Sequence, residues 1–338
     1  MDYRLMRIAE ETQRITQVGS YEIGKSTIYL SKKDNQLFTE AYAFSPKDVS
    51  KIYYDYSQPA VREKKENMAR IEVVDSDSFE AARDMDNPLV MNFASATHKG
   101  GGFLTGAHAQ EESLCRCSTL YASLTSTKAQ VYYDYNRGLQ SPMHSDYMLV
   151  SPNVCVFRDS ELQLLERPYT VAVGTIPAPN LRNIGHAVDK NELTRIMLWR
   201  IRHYLAVAVK EGYRNLVLGA WGCGAFRHDP YDVAGYFRKV LVDEGFAALF
   251  DEIRFAIIKS PYNFKAFKDV LVKNQHTDYM LLRKNENREI LEHLRAIEQI
   301  VRQKCGRCEA VHSCLGCNFA ELRQDIDHAR KMVLIQEH

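Results

Sequence analysis

The sequence of 338 residues is 45% apolar and 26% charged, which is typical of a folded soluble protein and excludes a largely disordered or fibrous chain. Its length allows one α/β domain with a second, smaller module. The formal net charge of +1 argues against a broad basic surface, so nucleic acid is not an expected partner.

The first 70 residues carry structural patterns but no functional motif. Residues 5–18 have helical periodicity, and Gly24 and Lys25 mark a hairpin. The N-terminal segment is interrupted by charges every few residues, unlike a signal peptide, and no later segment approaches an apolar membrane span. We therefore expect a cytoplasmic protein that does not contact a membrane, in which this region extends the core domain.

Short apolar runs alternate with helical segments from residue 71 onward. Strands are predicted at residues 71–74, 89–93, 170–173, 216–218 and 253–258, because their Val, Ile and Leu content suits a sheet buried on both faces. Helices are predicted at residues 78–85, with Ser76 or Asp77 as the cap, and at residues 192–210. The alternation predicts a three-layer α/β/α domain whose ligand site lies beyond the carboxyl ends of the strands.

The strongest motif follows the strand at residues 89–93. It consists of Gly100, Gly101 and Gly102, seven intervening residues that begin with Phe103, and then Gln110, Glu111 and Glu112. Because glycine lacks a Cβ atom, the backbone of this loop can approach a ligand closely and offer N–H groups to phosphate oxygens. A helix is predicted from Gln110 to about Ser126, so both glutamates lie in its first turn.

Glu111 and Glu112 alone would not identify an enzyme, because acidic residues are favoured at helix N-termini by the macrodipole. A loop that approaches phosphate and delivers two adjacent carboxylates, however, supplies what cleavage of a glycosidic bond in a nucleotide sugar requires. One carboxyl can first protonate the leaving oxygen and then activate water. The combination therefore favours a glycosidase.

The stretch GGGFLTGAHAQEESLCRCSTLY resembles the signature of microbial-type poly(ADP-ribose) glycohydrolases, and the similarity extends from the N-terminal helix to about residue 260. Lys99 stands where that family has a proline. The resemblance implies a macrodomain with a central mixed sheet at residues 1–284, which hydrolyses ribose–ribose O-glycosidic bonds of poly(ADP-ribose) from chain ends without a catalytic cofactor. It also implies that Glu112 is the general acid and base, that Glu111 holds the ribose hydroxyls and that Gln110 fixes the turn.

A second glycine loop follows the strand at residues 216–218. Its candidate ligand-binding residues are Gly222, Cys223, Gly224, Ala225 and Phe226. We expect it to form the opposite wall of a diphosphate site, because the start of the following helix favours anions; Asp229 and Pro230 also suit an ordinary capped helix. The resemblance implies that this is the second phosphate-binding loop and that Phe226 packs against the terminal ribose. Cys223 is expected to be a packing residue and not a nucleophile.

Three further residues have weaker signals. Asn92 ends its predicted strand, where macrodomains often place an asparagine that contacts ribose, and a turn or capping role is the alternative. Cys115 and Cys117 point to different faces of one predicted helix. We therefore expect these two cysteines to be packing residues.

Residues 285–338 form a region of different character, in which two segments of helical periodicity flank four cysteines. Cys305, Cys308, Cys314 and Cys317 make two C-x-x-C pairs, which suit a closed structural zinc site, with an iron–sulfur cluster as the alternative. The segment has eight Lys or Arg against nine Asp or Glu, so it lacks the positive charge that nucleic-acid binding requires. We expect a small helical module that joins two helices or binds a protein partner.

The expected ligands are ADP-ribose and ADP-ribosylated protein or polymer. Two alternatives stay open: a macrodomain that binds ADP-ribose without hydrolysing it, and a hydrolase of mono-ADP-ribosylated protein or another ADP-ribose conjugate. The paired glutamates argue against the first, whereas the second depends on cavity walls built from distant segments. A scaffold with an inactive macrodomain would not be expected to keep both glutamates.

Overall fold

A computed structural model of the protein describes residues 2–30, 38–57, 68–183 and 189–273, together with Ala296, Ile297 and Gln299. The chain divides into two compact units, Met1–Gln275 and His276–His338. The domain boundary predicted between residues 284 and 285 remains a prediction. The four-cysteine site predicted within residues 285–338 lies outside the described residues.

The N-terminal region forms the helix and hairpin that were predicted. Helix α1, Tyr3–Val18, begins at Asp2, whose carboxylate accepts hydrogen bonds from the N–H groups of Arg4 and Leu5. It ends at Gly19, where a φ of 80° is left-handed and favours glycine. Strands β1, Ser20–Ile23, and β2, Ser26–Tyr29, then pair antiparallel.

A seven-stranded mixed sheet forms the centre of the domain. Its strands are β3 (Tyr42–Phe44), β4 (Arg70–Val74), β5 (Pro88–Phe93), β6 (Met148–Arg158), β7 (Leu164–Ile176), β8 (Asn215–Gly219) and β9 (Glu252–Ala256), in the order β3-β6-β7-β5-β8-β9-β4. The run β7-β5-β8-β9-β4 is parallel, and β6 is antiparallel to both of its neighbours. The five predicted strands all lie in this parallel run.

Helices cover both faces of the sheet, which confirms the three-layer α/β/α architecture. They are α2 (Pro46–Ile52), α3 (Gln110–Cys117), α4 (Leu120–Leu124), α5 (Thr127–Leu139), α6 (Lys190–Lys210), α7 (Pro230–Arg238) and α8 (Pro261–Lys268). On one face, Val217 joins a buried cluster with Tyr132 of α5. On the other, Phe255 packs against Phe237 of α7 and Phe267 of α8, with ring centroids 5.1 and 5.5 Å apart.

Two predicted helices differ from those observed. The helix predicted for residues 110–126 is interrupted because Ser118 is extended and forms a β-bridge with Val156, and the N–H of Thr119 donates to Cys155 O. The helix predicted for residues 78–85 is only a 3-10 turn, Glu80–Ala82, although Asp77 caps it as expected by accepting hydrogen bonds from two N–H groups.

Parallel strands place their carboxyl ends at one edge of the sheet, and the loops that follow β4, β5, β7, β8 and β9 therefore meet there. These loops include both glycine motifs. Within the described ranges, no helix is long and apolar enough to cross a membrane.

Candidate active site

A cavity of about 490 Å³ opens at this edge of the sheet, within the range of about 300 to 1,000 Å³ that is usual for small-molecule sites. Eight of the predicted site residues line it: Gly101, Gln110, Glu111, Glu112, Gly222, Gly224, Ala225 and Phe226. Asn92, Gly100, Gly102, Phe103 and Cys223 are outside the lining. The two glycine loops thus form walls of one cavity, as predicted.

The three consecutive glycines are needed because the protein's own side chains crowd their backbone. Gly100 and Gly101 have φ values of +64° and +59°, a conformation that side chains disfavour. A Cβ atom on Gly101 would lie 2.4 Å from Oε1 of Glu112 and 3.0 Å from Oε2 of Glu111. On Gly102 it would lie 2.7 Å from the Cβ of Ala107. The glycines therefore allow the loop to wrap around both carboxylates.

The amides of this loop are used within the protein. The N–H groups of Gly101 and Phe103 donate to His98 O and Gly100 O, each at 3.0 Å. The N–H of Gly102 donates to Glu112. The contact predicted between these amides and phosphate remains a prediction, and in this structure the first loop serves the carboxylates.

Gln110 joins the start of α3 to the end of β5. Its Oε1 accepts a hydrogen bond from Phe93 N at 2.9 Å, and its Nε2 donates to Met91 O at 2.8 Å and to Ser78 Oγ at 3.1 Å. Because its carbonyl oxygen and both of its N–H donors are occupied, the Gln110 side chain connects the turn to β5 and to Ser78.

Glu111 is almost completely buried, and both of its oxygens are held. Oε1 accepts a hydrogen bond from Asn92 Nδ2 at 3.3 Å, and Oε2 accepts one from Ser95 N at 2.7 Å. Burial raises the pKa of Glu111 to about 8; the charge of Glu112 adds to the rise, and the two hydrogen bonds oppose it. Near neutral pH the Glu111 carboxyl is therefore largely protonated.

Glu112 differs from Glu111 in having one free oxygen. Its Oε1 accepts a hydrogen bond from Gly102 N at 2.8 Å, so the first glycine loop fixes the orientation of the carboxyl group. Its Oε2 is buried and has no partner within the described part of the chain. Glu112 lines the cavity, and a buried polar atom that no protein group satisfies usually has a water or a ligand as its partner.

The second loop is also shaped by close contacts. Gly222 has φ +81°, and a Cβ atom there would lie 2.7 Å from Cδ2 of His228. The N–H groups of Gly224, Ala225 and Phe226 donate to no acceptor among the described residues. Asp229 caps α7 by accepting hydrogen bonds from two N–H groups, and Pro230 is the first residue of that helix. The N–H groups without an acceptor among the described residues are therefore those of the second glycine loop, whereas Asp229 caps the start of α7.

Three cysteines, Cys115, Cys117 and Cys223, and Asn92 have roles in packing or positioning and not in the reaction. Cys115 and Cys117 are buried in the core, as expected. Burial raises the pKa of the Cys223 thiol well above its usual value, which argues against a nucleophilic thiolate. Asn92 is fully buried and also donates to Thr175 Oγ1 at 3.2 Å. It lies behind Glu111, so it orients that carboxyl group and does not line the cavity.

Several cavity residues were not predicted from the sequence. They belong to the loops after β4 and β9, residues 76–80 and 257–260, and to Ser95 after β5. The strands before these loops had been predicted, so the rule that ligands bind beyond strand carboxyl ends could have identified them. No group of three or more His, Cys, Asp or Glu side chains in the described ranges could hold a metal ion.

Comparisons with known proteins agree with the site. The family model for the microbial-type PARG, catalytic domain, matches residues 9–159. Poly(ADP-ribose) glycohydrolase from Thermomonospora curvata is 37% identical, with a TM-score of 0.74, and the alignment covers 80% of this chain and 100% of that one. The Deinococcus radiodurans enzyme in complex with ADP-ribose is 36% identical, with a TM-score of 0.63, over 70% of this chain and 96% of that one. A comparison with curated proteins gave no match.

The α/β/α fold with its mixed sheet, and a cavity lined by the adjacent glutamates Glu111 and Glu112, define an α/β protein with the groups of a glycosidase. Because a solved relative is 37% identical over an alignment that covers 80% of this chain and the whole of that one, the chain belongs to the microbial-type poly(ADP-ribose) glycohydrolase family. It is an enzyme, a hydrolase of poly(ADP-ribose) glycosidic bonds, as the resemblance in the sequence implied.

Proposed function

We propose that Glu112 is the general acid and base of this hydrolase. The observation that supports this role is the difference between the two adjacent glutamates: protein donors hold both oxygens of Glu111, whereas Oε2 of Glu112 has none among the described residues. A proton-transfer group must keep an oxygen for the substrate while the rest of the carboxyl group is held in place. Glu112 meets both conditions.

The reaction follows from this arrangement. Protonated Glu112 donates its proton to the glycosidic oxygen, which stays with one ribose as the bond to C1 of the other ribose breaks. Positive charge then develops on C1 and the ring oxygen of that second ribose. The resulting carboxylate then takes a proton from water as the water attacks C1. One carboxyl group thus serves both steps and returns to its starting state.

Glu111 holds the sugar while Glu112 transfers protons. Its raised pKa keeps it largely neutral near pH 7, so a second negative charge does not form beside Glu112. A neutral carboxyl can also donate a hydrogen bond to a ribose hydroxyl. The pair therefore divides the work, with one residue binding and the other reacting.

The second loop binds the diphosphate. Gly224, Ala225 and Phe226 line the same cavity as the glutamates, and their N–H groups donate to no acceptor among the described residues. Backbone N–H groups arranged in this way bind phosphate oxygens, and the bound diphosphate stabilises positive charge on the nearby sugar. Phe226 packs against the terminal ribose.

The ligand is ADP-ribose at the end of a polymer chain or on an ADP-ribosylated protein. Two solved relatives support this: the T. curvata enzyme bound to the inhibitor ADP-HPD, 37% identical with a TM-score of 0.72 over 79% of this chain and 99% of that one, and the D. radiodurans enzyme in complex with ADP-ribose. Cleavage from chain ends releases free ADP-ribose. No cofactor is required for this acid and base chemistry.

The test is product analysis on two substrates. Purified full-length protein is incubated with auto-modified poly(ADP-ribosyl)ated protein and, separately, with mono-ADP-ribosylated protein. We expect ADP-ribose as the main product from polymer at early times, with a residual unit left on the protein. Release from the mono-modified protein alone would favour the alternative substrate class, and binding without release from either would favour a reader.

The four-cysteine segment has a separate proposed role. We propose that Cys305, Cys308, Cys314 and Cys317 bind one structural zinc ion and that the module contacts a protein partner in the cytoplasm. The spacing of the two C-x-x-C pairs supports a closed thiolate site. Elemental analysis should find about one zinc per chain and a colourless protein, whereas iron with visible absorption would indicate a cluster.

A further inference from the structure

The second glycine loop is hydrogen-bonded to a neighbouring loop, residues 177–181. His228 Nε2 lies 2.7 Å from Pro179 O. In the opposite direction, the N–H of Leu181 donates to Phe226 O at 3.1 Å. Both bonds lie at the C-terminal end of the amides assigned to the diphosphate, so a displacement of residues 177–181 would displace those amides as well.

The histidine in this link has a defined protonation state. A carbonyl oxygen can only accept, so His228 Nε2 must carry the proton that it donates to Pro179. Burial lowers the pKa of His228, against the effect of that hydrogen bond. The ring is therefore neutral near pH 7, and it also packs directly against Gly222.

Arg200 of α6 holds residues 177–181, the loop to which the second glycine loop is hydrogen-bonded. It is 2% exposed, and its guanidinium donates to Pro177 O at 3.0 Å, to Met143 O at 2.6 Å and to His144 O at 3.1 Å. Its charge is balanced by Asp146, whose Oδ1 lies 2.7 Å from Nε. A buried charge with this many partners holds its surroundings in one arrangement, because each carbonyl would otherwise lose its donor.

The carboxylates on the opposite wall are held by other residues. Asn92 and Ser95 hold Glu111, Gln110 braces the start of α3, and Gly102 orients Glu112. None of these donors belongs to the group around Arg200. The donors that hold the carboxylates are thus different from the donors that hold residues 177–181.

We propose that His228 and Arg200 are positioning residues that set the affinity of the second loop for the diphosphate of the substrate. Neither residue need touch the ligand. They act by holding the amides of Gly224, Ala225 and Phe226 in a binding arrangement, while the proton transfer at Glu112 is left intact. The proposal rests on the assignment of this loop to the diphosphate.

The experiment measures the dissociation constant for ADP-ribose by calorimetry and the kcat and KM for polymer. His228→Phe keeps a ring against Gly222 but loses the donor to Pro179. We expect both the dissociation constant and KM to rise about tenfold, the equivalent of about 1.4 kcal/mol, with kcat within about twofold of the wild type. His228→Gln, which restores a donor, should recover much of the affinity.

Two further variants keep the test decisive. Arg200→Lys retains the charge but loses the guanidinium N–H groups that reach several acceptors at once. Like His228→Phe, it should weaken ADP-ribose binding. Tyr204→Phe is the matched control on the same helix, because its buried hydroxyl has no partner among the described residues and its loss should change neither constant.

Folded His228→Phe and Arg200→Lys proteins, with wild-type melting temperatures and unchanged ADP-ribose affinity, would overturn the proposal. So would a fall in kcat at constant KM, or a His228→Gln protein no better than His228→Phe. If the wild type itself neither binds ADP-ribose nor cleaves polymer, the proposed function fails instead, and the two failures are distinguishable.

Discussion

Replacing Gly101 by alanine should lower kcat by on the order of 100-fold through a single methyl group. The added Cβ would lie 2.4 Å from Oε1 of Glu112, closer than any carbon and oxygen can approach without displacement. Oε1 also accepts the hydrogen bond from Gly102 N. The carboxyl group must therefore move away from its donor, or the loop must open.

The change has two components of different size. Alanine in the left-handed conformation of Gly101 costs about 1–2 kcal/mol of stability in itself. Displacement of the Glu112 carboxyl by about 1 Å is expected to lower kcat by on the order of 100-fold. A loss of about 100-fold corresponds to about 2.7 kcal/mol in the activation free energy, more than the backbone cost alone explains.

Gly24→Ala is the matched control. Gly24 has φ +61°, close to the +59° of Gly101, but a Cβ atom there would meet nothing within 4 Å. It should show the backbone cost of about 1–2 kcal/mol with wild-type kinetics. Chemical unfolding and the initial rate of ADP-ribose release from polymer measure the two quantities in both variants.

A folded Gly101→Ala protein with a kcat near that of the wild type would refute the reasoning. It would mean that the carboxyl group of Glu112 does not need the position that the glycine loop gives it. Equal losses of activity in Gly101→Ala and Gly24→Ala would point instead to general destabilisation.

Three other changes test the wall that carries the carboxylates. Gln110→Ala leaves Phe93 N without its acceptor and should lower the free energy of unfolding by about 1–3 kcal/mol, measured in urea; an unchanged midpoint would contradict the bracing role. Asn92→Ala removes the hydrogen bond to Oε1 of Glu111, the residue assigned to the ribose, so calorimetry should show ADP-ribose affinity about tenfold weaker, on the scale of one hydrogen bond to a carboxyl group, with kcat near that of the wild type. Unchanged affinity with a lower kcat would contradict the binding role of Glu111. The folded protein keeps a proton on Glu111 up to about pH 8, whereas the unfolded chain loses it near the ordinary value of 4.5. The free energy of unfolding of the wild type should therefore fall as the pH rises from 4.5 to about 8, relative to that of Glu111→Gln. The same pH dependence in both proteins would exclude the raised pKa.

The parallel part of the sheet was predictable because each of its strands contains a short run rich in Val, Ile or Leu, even though β7 extends over 13 residues. Strand β6 was not predicted, since Pro152 and Asn153 interrupt its alternation, and the structure has a register shift between Ser151 and Val154. The break of the helix at Ser118 depends on a bridge to Val156 on a distant strand. Contacts of that kind leave no local pattern in the sequence.

The residues that contribute chemical groups to the site were more predictable than the residues that hold those groups in position. The two glycine loops and both glutamates were identified because chemistry requires those residue types together. The role of the glycines in making room for the carboxylates could not be derived, since it depends on the path of the loop. Arg200 did leave a signal: it lies three residues after Met197 and four before Tyr204, on the buried face of its helix. A charge on an apolar face predicts a buried polar contact.

The most direct test of the central claim compares the wild type with Glu112→Gln on auto-modified poly(ADP-ribose). The amide keeps the size of the side chain but cannot transfer a proton in the same way. We expect Glu112→Gln to bind ADP-ribose with near wild-type affinity and to release it from polymer at least about 1,000-fold more slowly, a loss on the scale of general acid and base catalysis. A Glu112→Gln protein that releases ADP-ribose within about tenfold of the wild-type rate would contradict the assignment of Glu112 as the group that transfers the proton.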